Sequence, residues 1–275
     1  MTLTVVSGAT GRLGGRVAAR LDRPQRLLVR DAARAPSIPG AEVAQADYGD
    51  ATAVRAALEG AGTVLMVSAS ESPDRVDRHR VFVDAAAAAG VGHLVYTSFA
   101  RARPDATFTL ARDHWATEQH IRESGLPFTF LRDNLYADFV PALVGDDGVI
   151  RWPGGDGRAA VVAQDDIADA IVAVLRDPGP HAGRTYDLTG PEALTFAEMA
   201  AVLTEATGRE VRFHDETLEE AYASRAAYGA PAWQVDAWVS TYTAVAAGEL
   251  ATVDPAIEGL VGRRAKTLAE LVRSS

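Results

Sequence analysis

The 275-residue chain predicts an α/β fold, a doubly wound parallel sheet with a smaller mixed α/β C-terminal region. Three observations carry this. Strand-like runs alternate with helical segments through the first half of the chain, the arrangement that builds a parallel sheet with helices on both faces. Those runs are continuously apolar, as strands covered on both faces are. The first of them feeds through a glycine-rich turn into a helix.

The elements follow in order. Leu3 to Ser7 reads as a buried strand, Gly8-Ala9-Thr10-Gly11-Arg12-Leu13-Gly14 as a tight turn, and Arg16 to Leu21 as a helix. Arg26 to Val29 and Glu42 to Ala46 are the second and third strands, and Ala51 to Leu58 is a helix. Thr63 to Val67 is the fourth strand, and a helix from Asp74 to Ala89 ends at Gly90. His93 to Thr97 is the fifth strand, a helix from Thr107 to Ser124 ends at Gly125, and Pro127 to Leu131 begins a sixth strand. Residues 1–132 are therefore expected to form one domain. Residues 133–275 are expected to be a mainly substrate-binding region with some segments returning to the sheet.

In that second part, Val149 to Trp152, Ala159 to Val162 and Arg184 to Leu188 read as short strands. Asp165 or Asp166 caps a helix running to Leu175. Thr195, with Glu198 three residues on, is a capping box for a helix to Ala206, ended by Gly208. Thr217 to Ala247 is helical and carries Tyr222, Tyr228, Trp233, Trp238 and Tyr242, which line an apolar cleft or pack the region's core.

Composition narrows the function classes. Net charge is −10 with no basic run, which argues against nucleic acid as a partner. No apolar run reaches the roughly 18 residues of a membrane span. No charged leader precedes the first apolar segment, so a cytoplasmic location is expected. With no cysteine there is no disulfide and no thiol chemistry. The only lysine is Lys266.

The glycine spacing lets the backbone approach a bulky group, and the helix start behind it favours an anion, most often a pyrophosphate. The chain therefore reads as a dinucleotide-binding, Rossmann-type protein. Its ligand would contact the residues that follow each strand: Gly8 to Gly14, Arg30, Asp47, Tyr48, Val67, Ser68, Ala69, Ser70, Thr97, Ser98, Phe99, Asp133, Asn134 and Tyr136. Arg30, about 20 residues past the glycines, is placed to accept the extra phosphate of NADP, with Arg34 and Arg12 nearby. NADP(H) is expected over NAD(H), although the neighbouring Asp31 could serve a ribose instead. Asp47 is placed for the adenine amino group.

Many short-chain dehydrogenases hold a tyrosine and a lysine one helical turn apart, the phenol passing a proton to the substrate carbonyl. With Lys266 alone this chain has no such pair; on the expected helix it reads His114-Trp115-Ala116-Thr117-Glu118. His114 is a proton relay or acceptor-site group, or a structural histidine paired with Glu118 one turn on. His120 points away from both, so three metal ligands do not converge and no metal is expected. Ser98 has no base spaced to activate it. Tyr136 is a wall residue or a donor to the reduced acceptor.

The stretches Gly8 to Gly14, Val29-Arg30, Ala46 to Tyr48, Tyr96 to Ser98, His114 to Glu118 and Phe130 to Tyr136 resemble the NmrA-like, atypical branch of the short-chain dehydrogenases/reductases. Within it they resemble the type 2 NAD(P)H:quinone oxidoreductases and the triphenylmethane reductases. Gly154 to Arg158, Leu260 to Gly262 and Thr267-Leu268 extend the similarity over nearly the whole chain. The resemblance implies NADPH-dependent hydride transfer to a quinone or other electrophilic aromatic acceptor, with Asp133 to Phe139 walling the nicotinamide end. The family commonly has asparagine directly after the arginine; here Asp133 stands there and Asn134 follows. Alternative readings are a non-catalytic NADP(H)-binding redox sensor or regulator, and a biosynthetic reductase of a polyketide-like quinone or enone. A monomer or homodimer is expected.

Chemistry agrees with that implication. A quinone accepts hydride without prior protonation, so an enzyme for it chiefly needs to orient two rings.

Overall fold

A computed structural model describes residues 2–274. The chain forms two compact units. The first comprises Met1–Phe99, Asp113–Arg132 and Ile167–Tyr186; the second comprises Ala100–Arg112, Asp133–Asp166 and Asp187–Ser275.

In the first unit β1 (Leu3–Ser7) buries Val5 and Val6 completely and runs through the glycine turn into α1 (Arg12–Arg20). β2 (Gln25–Val29) and β3 (Glu42–Gln45) follow. The Asp50 carboxylate accepts the Ala53 N–H at 3.0 Å and so starts α2 (Ala51–Leu58). Then come β4 (Ala61–Met66), α3 (Arg75–Ala88) and β5 (His93–Phe99). α4 (Thr109–Glu123), β6 (Phe128–Asp133) and α5 (Gln164–Arg176) each carry residues of both units.

The main sheet has the strand order β3-β2-β1-β4-β5-β6-β8, its last member being β8 (Arg184–Leu188). β1 pairs in parallel with β2 on one side and with β4 on the other. The winding therefore reverses between β1 and β4, and a crevice opens beyond their carboxyl ends. Beneath it Leu28, Val64, Met66, Phe82, Leu94, Tyr96 and Phe130 form one buried cluster.

The second unit departs more from expectation. β7 (Val149–Trp152) pairs in parallel with β9 (Arg212–Asp215), a strand whose polar Arg-Phe-His-Asp sequence gave no signal. Ala159 to Val162, expected as a strand, makes only isolated bridges to Leu194 and Tyr136. Its amides turn to different neighbours in succession, Leu194, Leu250 and Leu135, so no ladder forms. α6 (Phe196–Thr207) has the expected capping box and ends at Gly208 in the left-handed region.

The single helix expected from Thr217 to Ala247 is two, α7 (Leu218–Ala226) and α8 (Ala232–Ala246). Gly229 at φ +62° and Pro231 divide them, because proline's ring disfavours helical geometry in the residue before it. α9 (Ala256–Val261) and α10 (Leu268–Arg273) complete the unit. Neither Asp165 nor Asp166 caps α5; both lie in its first turn, and the Gln164 N–H is taken by Asp138 at 2.8 Å. Asp166 is fully buried and accepts from the Lys266 amide and the Arg263 guanidinium, both at 2.7 Å.

The aromatic residues of this unit divide as well. Trp152 and Tyr242 stack at 3.6 Å between centroids, with Phe196 and Phe213 beside them. Tyr222 and Tyr228 are exposed. Gly154 is small because a Cβ would lie 2.5 Å from the Phe196 ring, and Gly157 because a Cβ would lie 2.1 Å from the Val245 carbonyl oxygen.

Candidate active site

A cavity of about 350 Å³ opens at the carboxyl ends of β1 to β4, within the first unit. Its floor is the glycine turn. Gly8 stands at φ +63°, a conformation that L side chains rarely adopt, and a Cβ on Gly14 would lie 2.4 Å from the Gly8 carbonyl oxygen. The turn closes only because both are glycine. α1 then starts at Gly11, where no side chain caps the helix. Its first-turn N–H groups form the positive end of a helix at a cavity wall, the feature a pyrophosphate needs.

The end of β2 supplies Arg30, exposed at this cavity. Asp31, the residue that could have read a ribose, uses its carboxylate to accept the Ala33 N–H at 3.0 Å. Asp47 lines the cavity and is gripped by Arg78, at 2.9 Å to one oxygen and 3.2 Å to the other, while also accepting the Gly49 N–H. Arg78 in turn binds Asp74 at 2.7 Å. Sequence reasoning missed Arg78, because one of three arginines in the charged first half of α3 looks like a solvated charge.

The opposite wall is pinned by a closed ring of hydrogen bonds. The Val67 N–H donates to Ser7 Oγ at 2.9 Å, Ser7 donates to the Tyr48 phenol oxygen, and Tyr48 donates back to the Val67 carbonyl at 2.8 Å. Burial pushes the Tyr48 phenol up, so it stays a donor. The next two residues are held equally firmly. The Ser68 N–H donates to Thr97 Oγ1 at 2.9 Å. The Ala69 N–H donates to His79 Nε2, and the Ala69 carbonyl accepts from Arg75 Nε, both at 2.9 Å.

His79 thereby takes a defined tautomer: with Nε2 accepting, Nδ1–H donates to Thr117 Oγ1 at 2.9 Å. Burial, and then the Arg75 charge, pull its pKa down to about 3. Arg75 also reaches Asp113 at 3.3 Å and His114 Nε2 at 2.9 Å. With that nitrogen accepting, His114 Nδ1–H donates to the Tyr96 phenol at 3.0 Å. Burial, together with Arg75, holds the His114 pKa well below the usual histidine range. Both ring nitrogens are committed inside the unit, which leaves neither for the proton relay expected of His114.

The expected pairing of His114 with Glu118 does not form either. Glu118 is fully buried and takes Arg132 through both oxygens, at 2.8 and 2.7 Å, while Ser98 Oγ donates to it at 2.7 Å. A forked guanidinium matches a carboxylate in a way that an imidazole one turn away cannot. His120 pairs with Asp84 at 2.7 Å.

In the second unit Asp133 and Asn134 have different roles. Asn134 is spent on the backbone, donating to the Leu250 carbonyl at 3.0 Å and accepting the Leu135 N–H at 2.7 Å. Asp133 is 2% exposed and accepts the Tyr136 hydroxyl at 2.8 Å on Oδ2, while its Oδ1 has no hydrogen-bond partner among the described residues. Burial raises the Asp133 carboxyl to about 7 and the Tyr136 phenol well above its usual range.

Of the expected nucleotide-contacting residues, the structure gathers Gly8, Thr10, Gly11, Arg30, Asp47, Tyr48, Val67, Ser68, Ala69 and Ser70 around one cavity. Ala9, Leu13 and Gly14 are buried in support of the turn, and Arg12 is exposed outside the cavity lining. Thr97 and Ser98 act through the hydrogen bonds above; Phe99 packs on His114 with centroids 6.1 Å apart. Glu71 and Ser72 join the lining without having been expected. Among the described residues no helix is long and apolar enough to cross a membrane.

The pattern that defines the NmrA-like family matches residues 2–250. Quinone oxidoreductase 2 of Escherichia coli is 32% identical, covering 98% of this chain and 97% of its own length. Its crystal structure with NADPH superposes with a TM-score of 0.90, covering 99% of both chains. The triphenylmethane reductase of Citrobacter, solved with NADP(H), is 31% identical with a TM-score of 0.89 and covers 99% of both chains. A (4-alkanoyl-5-oxo-2,5-dihydrofuran-3-yl)methyl phosphate reductase of Streptomyces griseus is 36% identical, covering 96% of this chain and 94% of its own.

Proposed function

The chain belongs to the NmrA-like family and is an NAD(P)H-dependent oxidoreductase, and from that premise we propose that it prefers NADPH and reduces a quinone or similarly electrophilic acceptor. One observation carries the cofactor preference: Arg30 stands at the cavity while Asp31 is tied to the Ala33 amide. A guanidinium favours the extra phosphate of NADPH, and the neighbouring Asp31 carboxylate turns one oxygen to the Ala33 amide.

When bound, the reduced nicotinamide supplies a hydride. The protein's own tasks are to bind, orient and exclude water. Gly8, Gly11 and the α1 start take the pyrophosphate; Arg30 takes the phosphate on the ribose; Asp47, steadied by Arg78, takes the adenine edge. The ring of Ser7, Tyr48 and Val67, with the Ala69 peptide clamped by Arg75 and His79, keeps the wall rigid, so orientation is set before the acceptor arrives. His114 belongs to that scaffold. Similarity to the Streptomyces griseus reductase, whose name specifies an acylated 5-oxo-2,5-dihydrofuran, favours an electron-poor enone as a second acceptor class.

Mixing the protein with NADPH and a small quinone should give acceptor-dependent loss of reduced-nicotinamide absorbance. NADPH bound tightly but never consumed, across quinones, dyes and enones, would replace this reading with that of a cofactor sensor.

A further inference from the structure

The cavity of the first unit is lined by two arginines in opposite surroundings. Arg30, at the end of β2, is exposed. Arg78, in the first half of α3, is gripped by two carboxylates. Its Nη1 donates to Asp47, at 2.9 Å on Oδ1 and 3.2 Å on Oδ2, and its Nε donates to Asp74 at 2.7 Å. One guanidinium against two carboxylates leaves a net negative charge, which repels a phosphate. The arrangement suits holding Asp47 in place.

Asp74 bears on this. It stands where an aspartate ordinarily caps a helix, directly before α3, yet its carboxylate makes no capping bond and is given to Arg78. Asp47 in turn is left asymmetric. Its Oδ1 takes two donors, Arg78 Nη1 and the Gly49 N–H, both at 2.9 Å. Its Oδ2 takes only the longer Arg78 contact, so its acceptor capacity is the more open. The Asp47 side chain is half-exposed at the cavity, where packing alone would not fix its rotamer.

We propose that Arg78 is a positioning residue for base recognition: by fixing the Asp47 carboxylate it offers Oδ2 to the 6-amino group of the cofactor's adenine, and so rejects a purine that carries a carbonyl there. The proposal rests on the cofactor reading above and deepens it. An ionised carboxylate only accepts hydrogen bonds. The amino group of adenine donates, whereas the 6-oxo group of hypoxanthine sets a second acceptor against the carboxylate. Two acceptors facing each other cost more than a contact merely missing. A carboxylate free to swing would escape that cost by turning to water or to the N1–H of hypoxanthine. One held by Arg78 and the Gly49 amide does not.

The test is direct calorimetric binding of NADPH, NADH and the reduced hypoxanthine analogue of NADPH to the unaltered chain, Arg78→Ala and Asp47→Asn. The unaltered chain should bind NADPH about tenfold more tightly than its hypoxanthine analogue. Arg78→Ala should bring the two within about twofold, while weakening NADPH and NADH by the same factor. Asp47→Asn, whose amide both donates and accepts, should also lose the preference. Both altered side chains are partly exposed, and neither belongs to the core.

Equal affinity of the unaltered chain for the two purines would overturn the proposal, as would a preference undiminished in Asp47→Asn. A preference undiminished in Arg78→Ala would reduce Arg78 to a structural ion pair and overturn it too. So would a loss in Arg78→Ala confined to NADPH, which would make Arg78 a second reader of the phosphate. No affinity of the unaltered chain for any of the three nucleotides would refute the cofactor reading itself, and the proposal with it.

Discussion

The buried network behind the cavity wall of the first unit and the buried polar groups around Asp133 in the second are built on opposite plans. In the first, Arg75, His79, Tyr96, His114 and Thr117 meet one another through ring nitrogens, hydroxyls and backbone groups, and the two imidazoles have a partner on each nitrogen. In the second, the Asp133 carboxyl has one side-chain partner among the described residues and an idle oxygen. A satisfied network stiffens a wall and holds its protons; an under-satisfied group is poised to exchange one. The pH responses should therefore run in opposite senses.

The largest effect should come from the floor of the cavity. Gly14→Val would drive a side chain into the Gly8 carbonyl, 2.4 Å from where its Cβ must lie, and calorimetry should find at least a hundredfold loss of NADPH affinity or no folded protein. Normal binding by this variant would show that the turn is not the pyrophosphate site.

His79 comes next. Its pKa of about 3 lies below the ordinary value of 6.5, so its stabilising contribution is whole above the ordinary value and disappears as pH falls through about 3. The span corresponds to about 5 kcal/mol as an upper figure. Urea titrations from neutral to acid pH should show it, and His79→Asn should lack the His79 share of the slope. Equal slopes would mean that the imidazole is not held neutral.

Asp133 has the opposite sign. Its carboxyl rises from an ordinary 3.8 to about 7, so the contribution is whole below the ordinary value and is lost by about pH 7. The unaltered chain should lose up to about 4 kcal/mol relative to Asp133→Asn over that interval. A difference of the same sign as that at His79 would erase the contrast between the two regions.

The smallest effect belongs to Arg30, which is exposed and screened. Arg30→Ala should weaken NADPH about tenfold to hundredfold and NADH little, the worth of one charge-assisted contact. Equal small losses for both cofactors would remove Arg30 from phosphate recognition.

Much of the first unit was legible because its signals are local. Gly8, Gly11 and Gly14 specify a turn through backbone sterics alone, Gly90 and Gly125 end helices, and continuous apolar runs name the parallel strands. Arg30 could be placed because strand ends map onto one edge of such a sheet. The second unit was less legible. β9 is four residues of mostly polar sequence that become a strand only because β7 lies beside them. The break between α7 and α8 could have been found: Gly229 and Pro231 together are a sufficient stop signal.

Side-chain partners divide along the same line. The turn, the strand ends and the want of a tyrosine–lysine pair follow from the order of residues, since each depends on neighbours a few positions apart. Which group receives which proton does not. Glu118 had His114 one helical turn away, and the fold gave it Arg132 from the next strand and Ser98 from the previous one. Asp133 and Asn134 are adjacent, yet one is stapled to the backbone and the other keeps an empty oxygen. Burial and long-range hydrogen bonding decide such outcomes, because the free energy of a proton on a side chain depends on what the folded chain has packed around it.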